Sequence, residues 1–133
     1  GRVIKMLLLH DVVEIDAGDH PIHETGDTSA QEAAELQAAE RIFGLLPEAQ
    51  GEELKALWLE FEAAETDDAQ FAKSLDRLQP LIHNVATQGG TWVEGQVTEP
   101  QVQTRYGQVI VKGSKALWQH AKQLVTQHFK SQQ

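Results

Sequence analysis

Near its start the chain reads His10-Asp11-Val12-Val13-Glu14-Ile15-Asp16-Ala17-Gly18-Asp19, and an apolar run precedes this segment. Apolar residues recur through residues 2–16 at the three- and four-residue spacing of an α-helix: Val3, Ile4, Leu7, Leu8, Val12 and Ile15. This spacing predicts a helix over residues 2–16 that ends near Gly18. The polar residues His10, Asp11 and Glu14 interrupt this apolar segment, which makes them candidates for chemistry.

The rest of the chain repeats the helical pattern. We predict further helices over residues 29–46, 52–65, 68–89, 101–112 and 115–129, with loops over residues 19–27 and 91–100. Pro80 lies inside one of these helices and predicts a kink, because proline has no amide hydrogen to donate. No segment alternates between apolar and polar residues with the period of a strand, so the predicted fold class is all-α.

Length and charge exclude several classes of protein. The chain has 133 residues, and we expect residues 1–133 to form a single domain. The net charge is −9, which repels the phosphate backbone of nucleic acids and an anionic membrane surface, so we expect neither as a partner. The absence of cysteine excludes disulfides, thiolate metal sites and cysteine nucleophiles, and it is compatible with a reducing cytoplasm.

Potential metal ligands concentrate at the start of the chain. On a helix, His10 and Glu14 are four residues apart and Asp11 and Glu14 three apart, so the three side chains lie on neighbouring faces within one turn. A structural interpretation stays open, in which His10 is a core histidine bonded to a backbone carbonyl. We interpret His20 and His23, which follow in the loop, as solvated residues.

A partner helix has to supply a further ligand, and Asp76 is the candidate. It stands between the predicted core positions Leu75 and Leu78, where a buried carboxylate needs a cation, hydrogen bonds or a metal. The alternative is that Asp76 pairs with Arg77 or Lys73. Spacing alone does not separate the two interpretations.

The run H-D-x-x-E-x-x-x-G-D over residues 10–19, joined to Leu75-Asp76-Arg77-Leu78-Gln79-Pro80, resembles the HD-domain superfamily of metal-dependent phosphohydrolases. Within it, the run is similar to the branch that contains the 5′-deoxynucleotidases. The resemblance covers about residues 1–88 and implies an HD-like bundle of about five to six helices.

The resemblance also implies a role for each site residue. His10 and Asp11 match the tandem metal ligands, and Asp76 matches the aspartate that completes the set. Glu14 matches the proton-transfer carboxylate, and Asp19 matches the carboxylate near the leaving nucleoside oxygen. The implied cofactor is one divalent metal ion, and this mixture of imidazole and carboxylate suits Mn, Co, Fe, Ni, Zn or Mg.

Two departures from the family pattern change what we expect. The pattern has an earlier histidine on a preceding helix, and only nine residues precede His10, so we expect the N-terminal helices and the first ligand to be missing from this chain. Ile15 stands where the branch that hydrolyses ppGpp has an acidic residue, which argues against that activity.

The expected function is that of a cytoplasmic metal-dependent phosphohydrolase. Its substrate is a small phosphomonoester, for which a (deoxy)nucleoside 5′-monophosphate is the best match. The alternative is a non-catalytic HD-fold module that regulates or dimerises. A homodimer fits the expectation of missing helices, because a second copy would cover the apolar faces that those helices leave exposed.

Overall fold

Eight helices form the regular structure of the computed structural model, which describes residues 1–18 and 29–132. The helices are α1 (Arg2–Leu9), α2 (Glu14–Ala17), α3 (Ser29–Phe43), α4 (Glu48–Ala63), α5 (Asp67–Ala86), α6 (Gly90–Glu94), α7 (Glu99–Gly113) and α8 (Lys115–Ser131). Every regular element in these ranges is a helix, which confirms the all-α prediction. Six of them have eight residues or more, as expected, and α2 and α6 are additional single turns. Of the helices in the described ranges, none has both the length and the apolar character needed to cross a membrane.

The chain divides into two compact units, Gly1–Ala69 and Gln70–Gln133, with the boundary inside α5. In the first unit, α1 packs on α4 and α2 packs on α3. Its core joins the turn before α2 to α3 and α4 through five buried residues: Val13, Ala38, Ala39, Phe43 and Trp58. The prediction of one domain over residues 1–133 stays a prediction.

The second unit has a core of its own. It is built from α5, α6, α7 and α8, and its buried residues are Leu81, Trp92, Val102, Tyr106, Ile110, Ala121 and Val125. Helices α7 and α8 pack closely, because Gly107 has no side chain to hold the indole of Trp118 away. The indole of Trp118 therefore lies directly against the backbone of α7.

Several predicted boundaries are wrong by a few residues. Helix α3 ends at Phe43 instead of residue 46, and α4 begins at Glu48, directly after Pro47, instead of residue 52. Gly51 lies inside α4, where a β-carbon would overlap the carbonyl oxygen of Phe43. The glycine permits close packing there and does not interrupt the helix.

The start of α5 and the predicted loop over residues 91–100 also differ from expectation. The hydroxyl of Thr66 accepts the hydrogen bond from the amide of Ala69 that caps α5, which begins at Asp67 instead of residue 68. Helix α6 overlaps the first four residues of the predicted loop, and α7 begins at Glu99, two residues early. A reciprocal pair of hydrogen bonds between Thr98 and the third residue of α7 explains that early start.

Candidate functional site

The prediction of one continuous helix over residues 2–16 is wrong between Leu9 and Glu14, the segment that contains His10 and Asp11. Helix α1 ends at Leu9, and the amide of His10 still donates to the carbonyl four residues before it. The amides of Val12, Glu14 and Ile15 instead donate to carbonyls three residues before them. This tighter turn separates α1 from α2 and rotates each residue by more than the regular helix does.

The side chains of His10 and Asp11 are in contact where this turn begins. On a regular α-helix adjacent side chains diverge by about 100°, whereas here Nε2 of His10 lies 3.0 Å from Oδ1 of Asp11. The imidazole is 18% exposed and the carboxylate 64% exposed. The imidazole ring also lies against Phe61 on α4, with the ring centroids 5.2 Å apart. His10 is therefore the largely buried member of the pair, and Asp11 is the member open to solvent.

A backbone hydrogen bond orients the imidazole of His10. Its Nδ1 atom lies 2.5 Å from the carbonyl oxygen of Leu7, which can only accept, so Nδ1 carries the hydrogen. This is the carbonyl bond that the structural interpretation of His10 foresaw. It is also the second contact that metal-ligating histidines make, because it leaves Nε2 as the atom available to a cation.

The geometry of the pair fits a shared divalent ion. Both Nε2 of His10 and Oδ1 of Asp11 are electron-pair donors, so a proton or a metal cation suits the space between them. Within residues 1–18 and 29–132, no three His, Asp or Glu side chains form a group that could hold a metal. The set of His10, Asp11 and Asp76 therefore stays a prediction.

Glu14 is the first residue of α2 and is half-buried. Its amide donates to the carbonyl of Asp11 at 3.0 Å, across the same turn. Residues three apart in such a turn lie on one face, so Asp11 and Glu14 are brought to the same side, as predicted from their spacing. His10 and Glu14, in contrast, are not aligned by this turn.

Asp76 lies on α5 in the second unit and is half-buried, in agreement with its place between Leu75 and Leu78. In a regular helix its carbonyl would accept from the amide four residues later, but that residue is Pro80, which has none. Helix α5 nevertheless continues through Pro80 to Ala86. Asp19, the remaining predicted catalytic residue, lies outside the described residues, as do His20 and His23.

An ion pair that the sequence analysis missed joins α2 to α3. Arg41 donates from Nη2 to Oδ1 of Asp16 at 2.8 Å and from Nε to Oδ2 of the same carboxylate. These hydrogen bonds lower the pKa of the Asp16 carboxyl below its ordinary value and raise that of the Arg41 guanidinium. A signal was present, because Arg41 is one of only two basic residues between Asp11 and Asp68.

Gly18 ends α2 in a conformation with φ of 84° and ψ of 166°. Residues with a β-carbon hardly ever adopt this combination. The glycine of the H-D-x-x-E-x-x-x-G-D run therefore has a backbone role, which is to turn the chain sharply after Ala17.

The site lies within a stretch that a known family shares. A family model of the HD domain matches residues 1–118. The chain belongs to the HD-domain family. A crystal structure of a predicted metal-dependent phosphohydrolase from Magnetospirillum magnetotacticum MS-1 is similar to this HD-domain structure, with a TM-score of 0.89 and 51% sequence identity. That similarity covers 98% of this chain and 66% of the other.

Curated relatives of this HD-domain chain include two 5′-deoxynucleotidases. The one from Mus musculus is 32% identical over 81 residues, which are 61% of this chain and 41% of the relative. The one from Schizosaccharomyces pombe is 32% identical over 84 residues, which are 60% of this chain and 42% of the relative. The chain thus spans about two fifths of the length of these relatives. Together with the family match, they confirm the resemblance inferred from residues 10–19.

Proposed function

We propose that the full-length protein is a metal-dependent phosphohydrolase that cleaves a small phosphomonoester, specifically a (deoxy)nucleoside 5′-monophosphate. The observation that carries the proposal is the contact between His10 and Asp11, with the imidazole oriented by Leu7. Membership of the HD-domain family and the names of the relatives support it.

The proposed ligands of a divalent ion are His10, Asp11 and Asp76. A neutral imidazole and two carboxylates form a mixed nitrogen and oxygen set, which admits Mn, Co, Fe, Ni, Zn or Mg. The chemistry that such an ion supplies is polarisation of phosphoryl oxygens and activation of water.

Three carboxylates divide the remaining work. Asp11 is exposed, so its carboxylate can accept a hydrogen bond from the attacking water and orient it toward phosphorus. Glu14, on the same face of the turn, supplies a proton to the departing alkoxide as a general acid. Asp19 is the carboxylate that the family resemblance assigns near the leaving nucleoside oxygen.

Charge supports the requirement for a cation. The chain carries seventeen acidic and two basic residues between Asp11 and Asp68. A phosphomonoester carries about two negative charges near neutral pH, and without a cation it would be repelled from this segment. A cation bound by the proposed ligand set would offset part of this repulsion.

Release of inorganic phosphate from deoxynucleoside 5′-monophosphates tests the proposal. The full-length gene product is assayed with Mn²⁺ or Co²⁺, beside an Asp76→Ala variant and an Glu94→Ala control, in which an exposed acid on α6 is removed. We expect metal-dependent release by the wild type and the control and none by Asp76→Ala. Wild-type release no greater than that of Asp76→Ala would refute the proposal and favour the non-catalytic HD-fold module.

A further inference from the structure

Helix α2 carries Glu14 and is too short to hold its own position. It has four residues, and none of them is buried. A single helical turn gains too few hydrogen bonds to be stable alone, so contacts with its neighbours must hold it. One such contact is made by Val13, which precedes α2 and is buried in the same core cluster as Ala38 and Ala39 of α3.

The second contact is the ion pair between Asp16 and Arg41. Two parallel hydrogen bonds join the guanidinium to both oxygens of the carboxylate. Such a pair fixes direction and plane as well as distance, which a single bond or a point charge does not. Val13 holds the start of α2 and Arg41 holds its third residue, so rotation of α2 about its axis is restricted.

The direction of this restriction matters for Glu14. Residues two apart on an α-helix lie about 200° apart around its axis. A contact that holds Asp16 toward α3 therefore turns Glu14 to the opposite side of α2. The turn that begins at the His10–Asp11 pair continues directly into Glu14.

We propose that Arg41, acting through Asp16, is a positioning residue that sets the orientation of α2 and so places the Glu14 carboxylate relative to the His10–Asp11 pair. The inference rests on the proposed function for its catalytic consequence. Arg41 is 55% exposed and Asp16 31% exposed. Ion pairs with that exposure add little to the free energy of unfolding. We therefore expect this pair to act through the orientation of α2.

Kinetics of the full-length protein test the positioning role. Arg41→Lys keeps the positive charge but removes the two parallel hydrogen bonds of the guanidinium. Asp16→Asn removes the negative charge. We expect either change to lower kcat for a deoxynucleoside 5′-monophosphate about tenfold, with KM nearly unchanged, and to shift Tm by less than about 3 °C. The double variant should be no worse than either single variant, because both changes break one interaction.

A neighbouring ion pair provides the matched control. Glu40 lies beside Arg41 on α3 and pairs with Lys55 on α4, away from α2. Glu40→Gln should leave kcat unchanged. Losses in Arg41→Lys and Asp16→Asn that add in the double variant, or an equal loss in Glu40→Gln, would overturn the inference.

Amide hydrogen exchange gives a readout that needs no activity. The amides of Ala17 and Gly18 donate to the carbonyls of Val13 and Glu14 at 3.0 and 2.9 Å, so they report on opening of α2. In Arg41→Lys we expect their exchange to accelerate about tenfold, while the amide of Ala64 at the end of α4 is unchanged. An inactive wild type with this acceleration would refute only the proposed function. Unchanged exchange would refute the positioning role, whatever the activity.

Discussion

Arg2 and Glu60 form an ion pair that joins the first residue of α1 to α4. The hydroxyl of Thr66 donates to the second carboxylate oxygen of Glu60 at 2.7 Å, and Nε of Arg2 also reaches Asp68 at 3.2 Å. The hydrogen bond from Thr66 and the pair with Arg2 lower the pKa of the Glu60 carboxyl below its ordinary value. One carboxylate thus links α1, the end of α4 and the start of α5.

This link predicts a loss of stability in acid. A carboxyl whose pKa is lower in the folded than in the unfolded protein stabilises the fold above its unfolded value near 4.5. The contribution disappears as pH falls from there through the folded pKa. We expect Glu60→Gln to lower Tm at pH 7 and to show a smaller fall in Tm than the wild type between pH 7 and pH about 3.

The control for this prediction is Glu53→Gln, which removes a looser pair with Lys5 at 3.8 Å on the same two helices. Its Tm should follow the wild type at each pH. If Glu60→Gln and the wild type lose equal stability on acidification, Glu60 is not the group responsible.

The packing of Gly107 on Trp118 predicts a clash on substitution. A β-carbon at residue 107 would lie 2.6 Å from Cζ2 and 2.9 Å from Cε2 and Cη2 of the indole. Overpacking costs about 1–3 kcal/mol, which exceeds the gain of about 1 kcal/mol from alanine in a helix interior. Gly107→Ala should therefore lower the free energy of unfolding measured with urea.

Trp118→Phe tests whether the indole causes the clash. Phenylalanine lacks the fused benzene ring to which Cζ2, Cε2 and Cη2 of the indole belong. The cost of Gly107→Ala should be smaller in the Trp118→Phe background than in the wild type. An equal cost in both backgrounds would show that the indole is not what the new methyl group meets.

Gly18→Ala tests the backbone role of the glycine after α2. No heavy atom lies within 4 Å of a β-carbon at this position, so the cost comes from the backbone conformation alone. We expect the free energy of unfolding to fall by about 1–3 kcal/mol. Ala64→Gly, at a residue with φ of 54° at the end of α4, should change stability in the opposite direction. A neutral Gly18→Ala would contradict the assigned strain.

The roles proposed for Asp11 and Glu14 predict different phenotypes. Mn²⁺ at about 100-fold above its Kd should stabilise the full-length protein by about 2.7 kcal/mol, seen as a higher Tm. Asp11→Asn should lose both this rise and activity. Glu14→Gln should keep the rise and lose activity about 10²- to 10⁴-fold.

His120→Ala on α8 is the control and should retain both properties. Loss of the Mn²⁺-dependent rise in Glu14→Gln would make Glu14 a ligand and not a proton donor. Retention of the rise in Asp11→Asn would remove Asp11 from the ligand set.

Most of the helices could be predicted, but the turn at His10 could not. Apolar residues at positions 9, 12 and 15 are three apart, and this spacing suits both a regular helix and a ladder of hydrogen bonds to the third residue. The apolar periodicity that predicted the helix therefore does not reveal the change from four-residue to three-residue hydrogen bonds. The contact between His10 and Asp11 depends on the orientation of two side chains, which apolar spacing does not report, so it too needed the structure.

Other differences arose from residues whose meaning depends on tertiary contacts. The helix end expected at residue 89 is three residues late, because α5 ends at Ala86. The glycines at residues 89 and 90 also gave no indication of α6, where Trp92 is buried and the backbone amide of Thr91 donates to Asn84. The partner of Asp16 is 25 residues away along the chain. No local pattern predicts a pair at that distance, although an isolated arginine in an acidic segment indicates one.

The tight turn between α1 and α2 makes the length of this segment matter more than the identity of some of its residues. The side chain of Val12 takes no part in the hydrogen bonds of the turn, whose members are backbone groups. One residue inserted between Asp11 and Glu14 would instead rotate Glu14 by roughly a third of a revolution and shift Val13 out of its core position. Variants of this stretch are therefore expected to tolerate exchanges at residue 12 but neither insertions nor deletions.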